Sequence, residues 1–318
     1  MQNPGAFGAE SDPTQVKGGI ARTTGSQEWR AANQRSCSEA TEEVESFQNE
    51  DEGSEMNEHA SDRTKSIEWD RVARFYDSYA QATFDIPFFV QETSTCPGDV
   101  LELMAGTGRV SLPLVKAGVH LTCVDSAPEM LAVLRQKLAQ EHLSAQVHEM
   151  DVRDLAFNKQ FDLILIPFHS FGELTSPDDQ KRVLARIYEH LSEKGRFICT
   201  LRNPSHRLRS VDGQFRLVGS YPGVEPQTTL LFWSVSNAEP ASNIVHAWQF
   251  YELYDQQGML REKSLLEIRF AQLQRAEFET LAEASGFQVL SFYGDYAYAP
   301  FQEEMSPYMI WVLGKQSG

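Results

Sequence analysis

One short stretch of the chain combines acidic side chains with a glycine turn at a spacing that suits nucleotide binding. Glu102 stands in an apolar run at 100–103, Gly106 and Gly108 follow it, and Asp125 ends the next apolar run. Glycines at the start of a helix leave backbone N–H groups open to a ligand. An acid at the end of the second strand is placed to bind ribose hydroxyls. These residues predict half of a site for an adenosine-containing cofactor.

A third acid supports the same site. Asp151 ends the next predicted strand, where it is placed to bond an adenine amino group while Val152 packs on the ring. A nicotinamide dinucleotide is the competing ligand, but its fingerprint expects glycine or alanine where this chain has Ser111. Glu102, just before the turn, would also repel a pyrophosphate and attract a cation. The sequence therefore favours a positively charged cofactor.

The elements that position these residues alternate between strand and helix. We predict strands at 99–104, 119–124, 145–150, 161–167 and 195–201, and helices at 108–117, 127–142 and 177–191. Apolar strands alternating with amphipathic helices predict a doubly wound α/β fold with a mostly parallel sheet and a ligand at its carboxyl edge. Gly118 and Gly195 follow predicted helices and are interpreted as C-terminal caps.

After Arg202 the pattern changes to four antiparallel strands, which form a β insertion at 213–272 after strand five. The insertion is rich in aromatic residues, including Trp233 and Trp248. Two interpretations stay open: a lid that roofs an acceptor pocket, or the contact surface of a homodimer. A helix and two further strands, at 288–293 and 308–314, end the chain.

Composition bounds the classes of partner. Residues 1–62 hold 13 acidic and 4 basic side chains, a net charge of −9 and more than half of the formal −17 of the chain. Few apolar residues accompany them, so we predict a disordered acidic tail before a domain at 63–318. The acidic balance argues against nucleic acid. The most apolar run, Phe161–Phe168, is too short to span a membrane. Four separated cysteines without metal-ligand spacing favour reduced thiols, no metal site and a cytoplasmic location.

Read together, the motifs resemble those of the class I S-adenosylmethionine-dependent methyltransferases. They lie at 102–108, 124–131, 150–155, 161–164 and 167–174, and the resemblance extends from Trp69 to Lys315. It implies a Rossmann-like methyltransferase fold with seven strands and a reversed final hairpin, and S-adenosyl-L-methionine as the cofactor. The cofactor-binding residues that it implies are Tyr76, Glu102, Ala105, Gly106, Gly108, Asp125, Ser126, Met130, Asp151, Val152 and Pro167. Met104 departs from the pattern, because that position is often glycine.

The segment after strand four resembles the sugar-amine N-methyltransferases, in which a proton-accepting histidine stands at the position of Glu173. Glu173, His169 and Tyr76 are the candidate catalytic residues. Each has a structural alternative: Glu173 holds a cationic amine, His169 is a hydrogen-bonded wall residue, and Tyr76 is an ordinary helix aromatic. Arg202 either faces a substrate carboxylate or is a surface cation, and the surface cation is the simpler interpretation.

These observations predict a methyltransferase that acts on a small or medium organic acceptor, with an amine slightly favoured. The alternatives are an O- or C-methyltransferase of a natural product and a catalytically silent binding module of the same fold. A nicotinamide oxidoreductase is opposed by Ser111 and by the final hairpin.

Overall fold

The computed structural model describes residues 66–316. The predicted tail at 1–62 lies outside the described residues. The first five strands are β1 (Val100–Leu103), β2 (Leu121–Asp125), β3 (Gln146–Glu149), β4 (Phe161–Ile166) and β5 (Leu191–Arg202). The insertion contributes β6 (Arg216–Pro222), β7 (Thr229–Ala238), β8 (Ile244–Tyr254) and β9 (Leu260–Ala271). The chain then adds β10 (Phe287–Tyr293) and β11 (Tyr308–Lys315).

The main sheet has the order β10-β11-β5-β4-β1-β2-β3. Strands β1 to β5 pair in parallel, whereas β11 runs antiparallel between β5 and β10. Strand order reverses between β1 and β4, and the crevice at the carboxyl ends of these strands is where open α/β sheets bind their ligands. The predicted α/β fold, with its reversed final hairpin, is confirmed.

The α-helices are α1 (Ala73–Tyr79), α2 (Ile86–Ser94), α3 (Ser111–Lys116), α4 (Pro128–Gln140), α5 (Pro177–His190), α6 (Pro204–Arg207) and α7 (Arg275–Ala284). Their ends follow local chemistry. In α5, Pro177 occupies the first turn, and the Ser176 side chain caps the helix by accepting from the Asp179 N–H. Among residues 66–316, no helix has the length and apolar character needed to cross a bilayer.

One predicted cap is wrong. Gly118 and Gly286 follow helices in the left-handed conformation, with φ of +85° and +91°, as a C-terminal cap requires. Gly195 lies inside β5, since the preceding helix ends at His190 and the chain enters the strand at once. A Cβ at Gly195 would lie 2.8 Å from Leu191 Cδ1, so close packing explains this glycine.

The insertion folds as a second, antiparallel sheet in the order β6-β7-β8-β9. One face packs on α1 and shares an apolar core with it. In that core the rings of Phe75 and Tyr251 stack with their centroids 6.1 Å apart, and the Tyr79 and Tyr251 hydroxyls lie 3.0 Å apart. The insertion is therefore joined to the N-terminal helix.

Two acidic side chains of the N-terminal segment bond to the turn after β1 and to α4. Asp77 in α1 accepts from Thr107 Oγ1 at 2.6 Å and from Lys137 Nζ at 2.7 Å. The side chain of Asp70 accepts from the Glu129 N–H at 2.8 Å. These contacts hold α1 across the carboxyl edge of β1 and β2.

Candidate active site

A cleft opens where the carboxyl ends of β1, β2 and β4 meet the N-terminal segment. It contains about 1000 Å³ of free space, solvent at its mouth included. The predicted site residues that line it are Tyr76, Glu102, Ala105, Gly106, Asp125, Ser126, Met130, Asp151, Val152, Pro167 and Glu173. Gly108 and His169 are not part of its wall.

The two glycines in the turn after β1 have different structural roles. Gly106 has φ +56°, and a Cβ built on it meets nothing within 4 Å, so its backbone faces open space. Gly108 has φ +84°, and a Cβ there would lie 2.3 Å from Leu134 Cδ1. Gly108 therefore lets the turn pack on α4, and the predicted contact of Gly108 with the cofactor gains no support from its position.

Met104 adopts a backbone conformation that suits glycine. Its φ is +57°, in the left-handed region, where a Cβ costs about 1–2 kcal/mol. This conformation explains why the matching position is often glycine. The side chain lines the cleft and packs against the main apolar core, so its contacts compensate for part of the backbone strain.

Asp125 is held by backbone N–H groups at the end of β2. Its Oδ2 accepts from the Gly106 N–H at 2.8 Å, and its Oδ1 accepts from the Ala127 N–H at 2.9 Å. Burial raises the pKa of Asp125, and the backbone hydrogen bonds oppose that rise. Both oxygens are thus fixed at the edge of the cleft, where each retains a lone pair for a ligand hydroxyl.

Glu102 and Ser111 form a buried pair beneath the turn. Glu102 is 1% exposed, and its Oε2 accepts from Ser111 Oγ at 2.7 Å. Burial raises the pKa of Glu102 to about 7, which the Ser111 hydrogen bond and the charge of Arg109 partly offset. A cation in the cleft would favour the ionised carboxylate. Ser111 thus has a role that glycine at this position cannot supply.

Asp151 reaches the cleft with its carboxylate already bonded. Its two oxygens accept from Arg153 Nε and from an Arg153 terminal nitrogen at 2.6–3.0 Å. Arg153 also donates to Asp179 Oδ2 at 3.0 Å. An adenine amino group at Asp151 must therefore share the carboxylate with Arg153, which the sequence did not indicate. Val152 lies beside it, buried, in the cleft wall.

Glu173 lines the same cleft as Glu102 and Asp125. Trp69 Nε1 donates to its Oε2 at 3.0 Å. Burial raises the pKa of Glu173 to about 8, while the Trp69 hydrogen bond favours the ionised form. Tyr76 completes this corner, with its ring edge-on to Trp69 at 5.8 Å. Burial also raises the pKa of Tyr76 strongly, so Tyr76 stays neutral and cannot act as a phenolate base near pH 7.

His169 sits behind the cleft wall. Phe168 and His169 both adopt left-handed conformations, with φ of +55° and +69°, which turn the His169 ring onto Tyr308 at 5.5 Å. Burial and the charges of Arg202, Arg109 and Arg207 lower the pKa of His169 well below its usual range. A weakly basic imidazole outside the cleft wall does not favour the predicted base role.

Arg109 is a site residue that the sequence reading missed. Its guanidinium bonds both carboxylate oxygens of the buried Asp85 at 2.6 Å and lies 4.3 Å from the centroid of the Phe168 ring. It joins the glycine turn to α2 and to the segment after β4. The available signal was an arginine directly after Gly108, at the start of an otherwise apolar helix.

Comparison with known proteins agrees with this geometry. Residues 100–195 match a family described as "Methyltransferase domain". The glycine/sarcosine N-methyltransferase of Aphanothece halophytica is 24% identical over 76% of this chain and 84% of its own. The cypemycin N-terminal methyltransferase of a Streptomyces species is 28% identical over 68% of this chain and 83% of its own.

Solved structures show the same fold. The CcbJ methyltransferase of Streptomyces caelestis superposes with a TM-score of 0.67 at 22% identity, over 79% of this chain and 99% of its own. The sugar N-methyltransferase KedS8 of a Streptoalloteichus species gives 0.61 at 16% identity, over 83% and 99%.

The cleft fits S-adenosyl-L-methionine. The open space at Gly106, the fixed carboxylate of Asp125 and the buried carboxyl of Glu102 suit a ligand that carries ribose hydroxyls and a positive charge. Residues 100–195 form a methyltransferase domain, and the chain is an S-adenosylmethionine-dependent methyltransferase of the class I fold.

Proposed function

We propose that the enzyme methylates the nitrogen of a small organic amine and that Glu173 accepts the proton. The observation that carries this proposal is the Glu173 carboxyl in the cleft wall, with its pKa raised to about 8 and a hydrogen bond from Trp69. A base works best when its pKa lies near the working pH. Two of the relatives, a glycine/sarcosine N-methyltransferase and a cypemycin N-terminal methyltransferase, support an amine.

The cofactor is assigned to the glycine-turn side of the cleft. We assign its ribose hydroxyls to Asp125, its ammonium group to Glu102, and its adenine ring to Asp151 and Val152. Ala105, Gly106, Ser126, Met130 and Pro167 supply the surrounding wall. When bound, the cofactor supplies an electrophilic methyl group on a positively charged sulfur.

The chain's own residues then have two tasks. The first is to free the lone pair of the amine, which is mostly protonated near pH 7; Glu173 takes that proton through its ionised carboxylate. The new N–C bond forms as the S–C bond breaks. The second task is alignment, because in-line transfer needs the nitrogen held at the methyl carbon with water excluded. Tyr76 and Trp69 provide an aromatic wall for this purpose.

The insertion supports this wall from outside. Because the second sheet shares its core with α1, and α1 carries Tyr76, we propose that the insertion acts as part of the lid. A homodimer through the opposite face of the sheet, which carries Trp233 beside Phe250, stays a prediction that light scattering of the purified protein tests.

Glu173→Gln tests the proposed base. With benzylamine and ethanolamine as probe acceptors, we expect kcat to fall at least a hundredfold, the lower range for loss of a general base. Affinity for S-adenosylhomocysteine should stay within about threefold, since cofactor contacts remain. Glu193→Gln, an exposed carboxylate in β5, is the matched control. Faster methylation of benzyl alcohol than of benzylamine would overturn the amine assignment.

The pH profile separates a base from a residue that only binds an amine. The acid limb of kcat/KM should have its midpoint near pH 8, the pKa of Glu173. Trp69→Phe removes a hydrogen bond to the ionised form, so the midpoint should rise by about one pH unit. An unchanged profile in both variants would contradict proton transfer to Glu173.

A further inference from the structure

A group of cationic and aromatic side chains lies beside the cleft, next to the turn that carries Glu173. We call Arg202, Arg207, His169 and Tyr308 the Arg202 cluster. Arg202 ends β5 and is the register neighbour of Tyr308 on β11. The Tyr308 ring stacks on His169 with an angle of 7° between the rings. Arg207 ends α6, the short helix that follows β5.

The two guanidiniums of the cluster have no carboxylate partner among residues 66–316. Arg202 makes no ion pair, and Arg207 donates only to the hydroxyl of Ser210, at 2.7 Å. Burial lowers the pKa of both arginines, and the positive charge of Arg202 lowers the pKa of Arg207 further. Both side chains keep partial exposure, so a ligand can reach them. Placing two like charges together in a desolvated position is unfavourable unless an anion joins them.

A neighbouring buried polar atom is also unpartnered. His169 Nδ1 is shielded from solvent and has no hydrogen-bond partner among the described residues, whereas the buried hydroxyls of Thr200 and Tyr296 face each other. Thr200 precedes Arg202 by two positions on β5, so both side chains point to the same face of the sheet. The Tyr296 ring packs against Tyr308 at 5.1 Å. An unsatisfied buried ring nitrogen beside unpaired guanidiniums calls for a ligand or ordered water.

The nearby negative charge is already neutralised. Asp85, whose charge acts on both Tyr296 and Tyr308, is bonded through both oxygens to Arg109. The surroundings of Arg202 therefore carry a net positive charge. The loop before β11 is held in place by the Asn203 amide, which donates to the backbone carbonyls of Glu303 and Ser306 at 2.6 and 2.8 Å.

We propose that the Arg202 cluster is an acceptor subsite that binds an anionic group, a carboxylate or a phosphate, on the molecule being methylated. A planar guanidinium is suited to two parallel hydrogen bonds with either anion. The segment between β4 and α5 carries His169 toward the cluster and Glu173 into the cleft, so one short segment touches both ends of the acceptor. This inference rests on the proposed function, because it places the amine at Glu173.

Anion binding tests the subsite without catalysis. Protein saturated with S-adenosylhomocysteine is titrated with phenylacetate, acetate and O-phosphoethanolamine in a calorimeter, with phenylacetamide, acetamide and ethanolamine as uncharged or cationic counterparts. We expect an anion to bind at least tenfold more tightly than its counterpart, and Arg202→Gln to remove that preference. Tighter phenylacetate or acetate identifies a carboxylate; tighter O-phosphoethanolamine identifies a phosphate.

The controls distinguish a specific subsite from general positive charge. Arg209→Gln removes an exposed arginine that pairs with Glu304 on the same segment, and it should keep the preference. Arg202→Lys should restore the charge but recover less than half of the lost affinity, because lysine lacks the planar pair of donors. Equal anion binding in wild type and Arg202→Gln, or no anion binding in wild type, overturns the inference.

Turnover with matched acceptors separates this inference from the proposed function. Glycine against glycinamide, and O-phosphoethanolamine against ethanolamine, should show kcat/KM at least tenfold higher for the anionic member whose anion binds. Arg202→Gln should reduce the rate on the acceptor that carries the anion by raising its KM. The rate on the matched acceptor without the anion should stay the same. Glu173-dependent methylation of amines without anion preference would refute the subsite alone. Anion preference without dependence on Glu173 would refute the proposed base alone.

Discussion

The cofactor side of the cleft and the Arg202 cluster beside it are built in contrasting ways. On the cofactor side, Asp125 accepts from two backbone N–H groups and Glu102 from a neighbouring hydroxyl. In the Arg202 cluster, Arg202 has no counter-ion and His169 Nδ1 has no hydrogen-bond partner within residues 66–316. The acids of the cofactor side are thus satisfied by the protein itself, whereas the proposed subsite leaves its positive charge for a ligand to neutralise.

The difference has a basis in chain topology. The glycine turn and the acids of β1 and β2 lie within one strand-turn-helix-strand unit between 100 and 125. The Arg202 cluster combines the turn after β4, the end of β5, α6 and the start of β11. Local units position side chains through their own backbone hydrogen bonds, but a cluster drawn from four segments depends on the packing of the whole sheet.

Asp125→Ala should produce the largest effect on the cofactor side. Loss of the ribose acceptor and of the bond to the Gly106 N–H should weaken S-adenosylhomocysteine binding at least tenfold, about 1.4 kcal/mol or more. Calorimetry on the folded variant measures this, with Glu193→Ala as the exposed control. Because Asp125 lies on the cofactor side, acceptor selectivity should stay unchanged in this variant. Unaltered affinity would remove Asp125 from the ribose site.

Glu102 should make cofactor binding depend on pH. Its pKa is about 7 in the free protein, and a bound ammonium favours the ionised form, so the pKa falls in the complex. Affinity is therefore full above pH 7 and is lost as the pH falls. Between pH 8 and pH 6, S-adenosylhomocysteine should bind about tenfold more weakly. Glu102→Gln should flatten this dependence; a steep dependence that persists in Glu102→Gln would assign the proton to another group.

Met104 should give the smallest effect, and one of unusual sign. Glycine normally destabilises relative to alanine by roughly 0.5–1 kcal/mol. At φ +57°, alanine retains the left-handed strain that glycine avoids, about 1–2 kcal/mol. Met104→Gly should therefore be more stable to urea than Met104→Ala by roughly 0.5–1 kcal/mol. The usual order, with alanine more stable, would show that the strain is relieved by movement of the turn.

The sequence predicted the sheet and the position of the cleft well because their signals are local. Alternating strands and helices located the sheet, and the residues after β1 and β2 marked the cleft. The predicted cap at Gly195 was wrong because a glycine after a helical pattern usually ends the helix, whereas here the next strand begins at once. The surface-cation interpretation of Arg202 is wrong, since the structure places its guanidinium in a desolvated position. Only the pairing of β5 with β11 brings Arg202 beside Tyr308, and no local pattern encodes that neighbour.

The joint between α1 and the insertion has a consequence for the rate of successive turnovers. Trp69 and Tyr76 form part of the cleft wall, and α1, which carries Tyr76, cannot move alone without breaking the core that it shares with the second sheet. The bonds of Asp77 to Thr107 and Lys137 are charged and partly exposed, so dissolved salt weakens them while it leaves the apolar core intact. Higher ionic strength should therefore speed the exchange of the cofactor, because α1 and the second sheet can then move together.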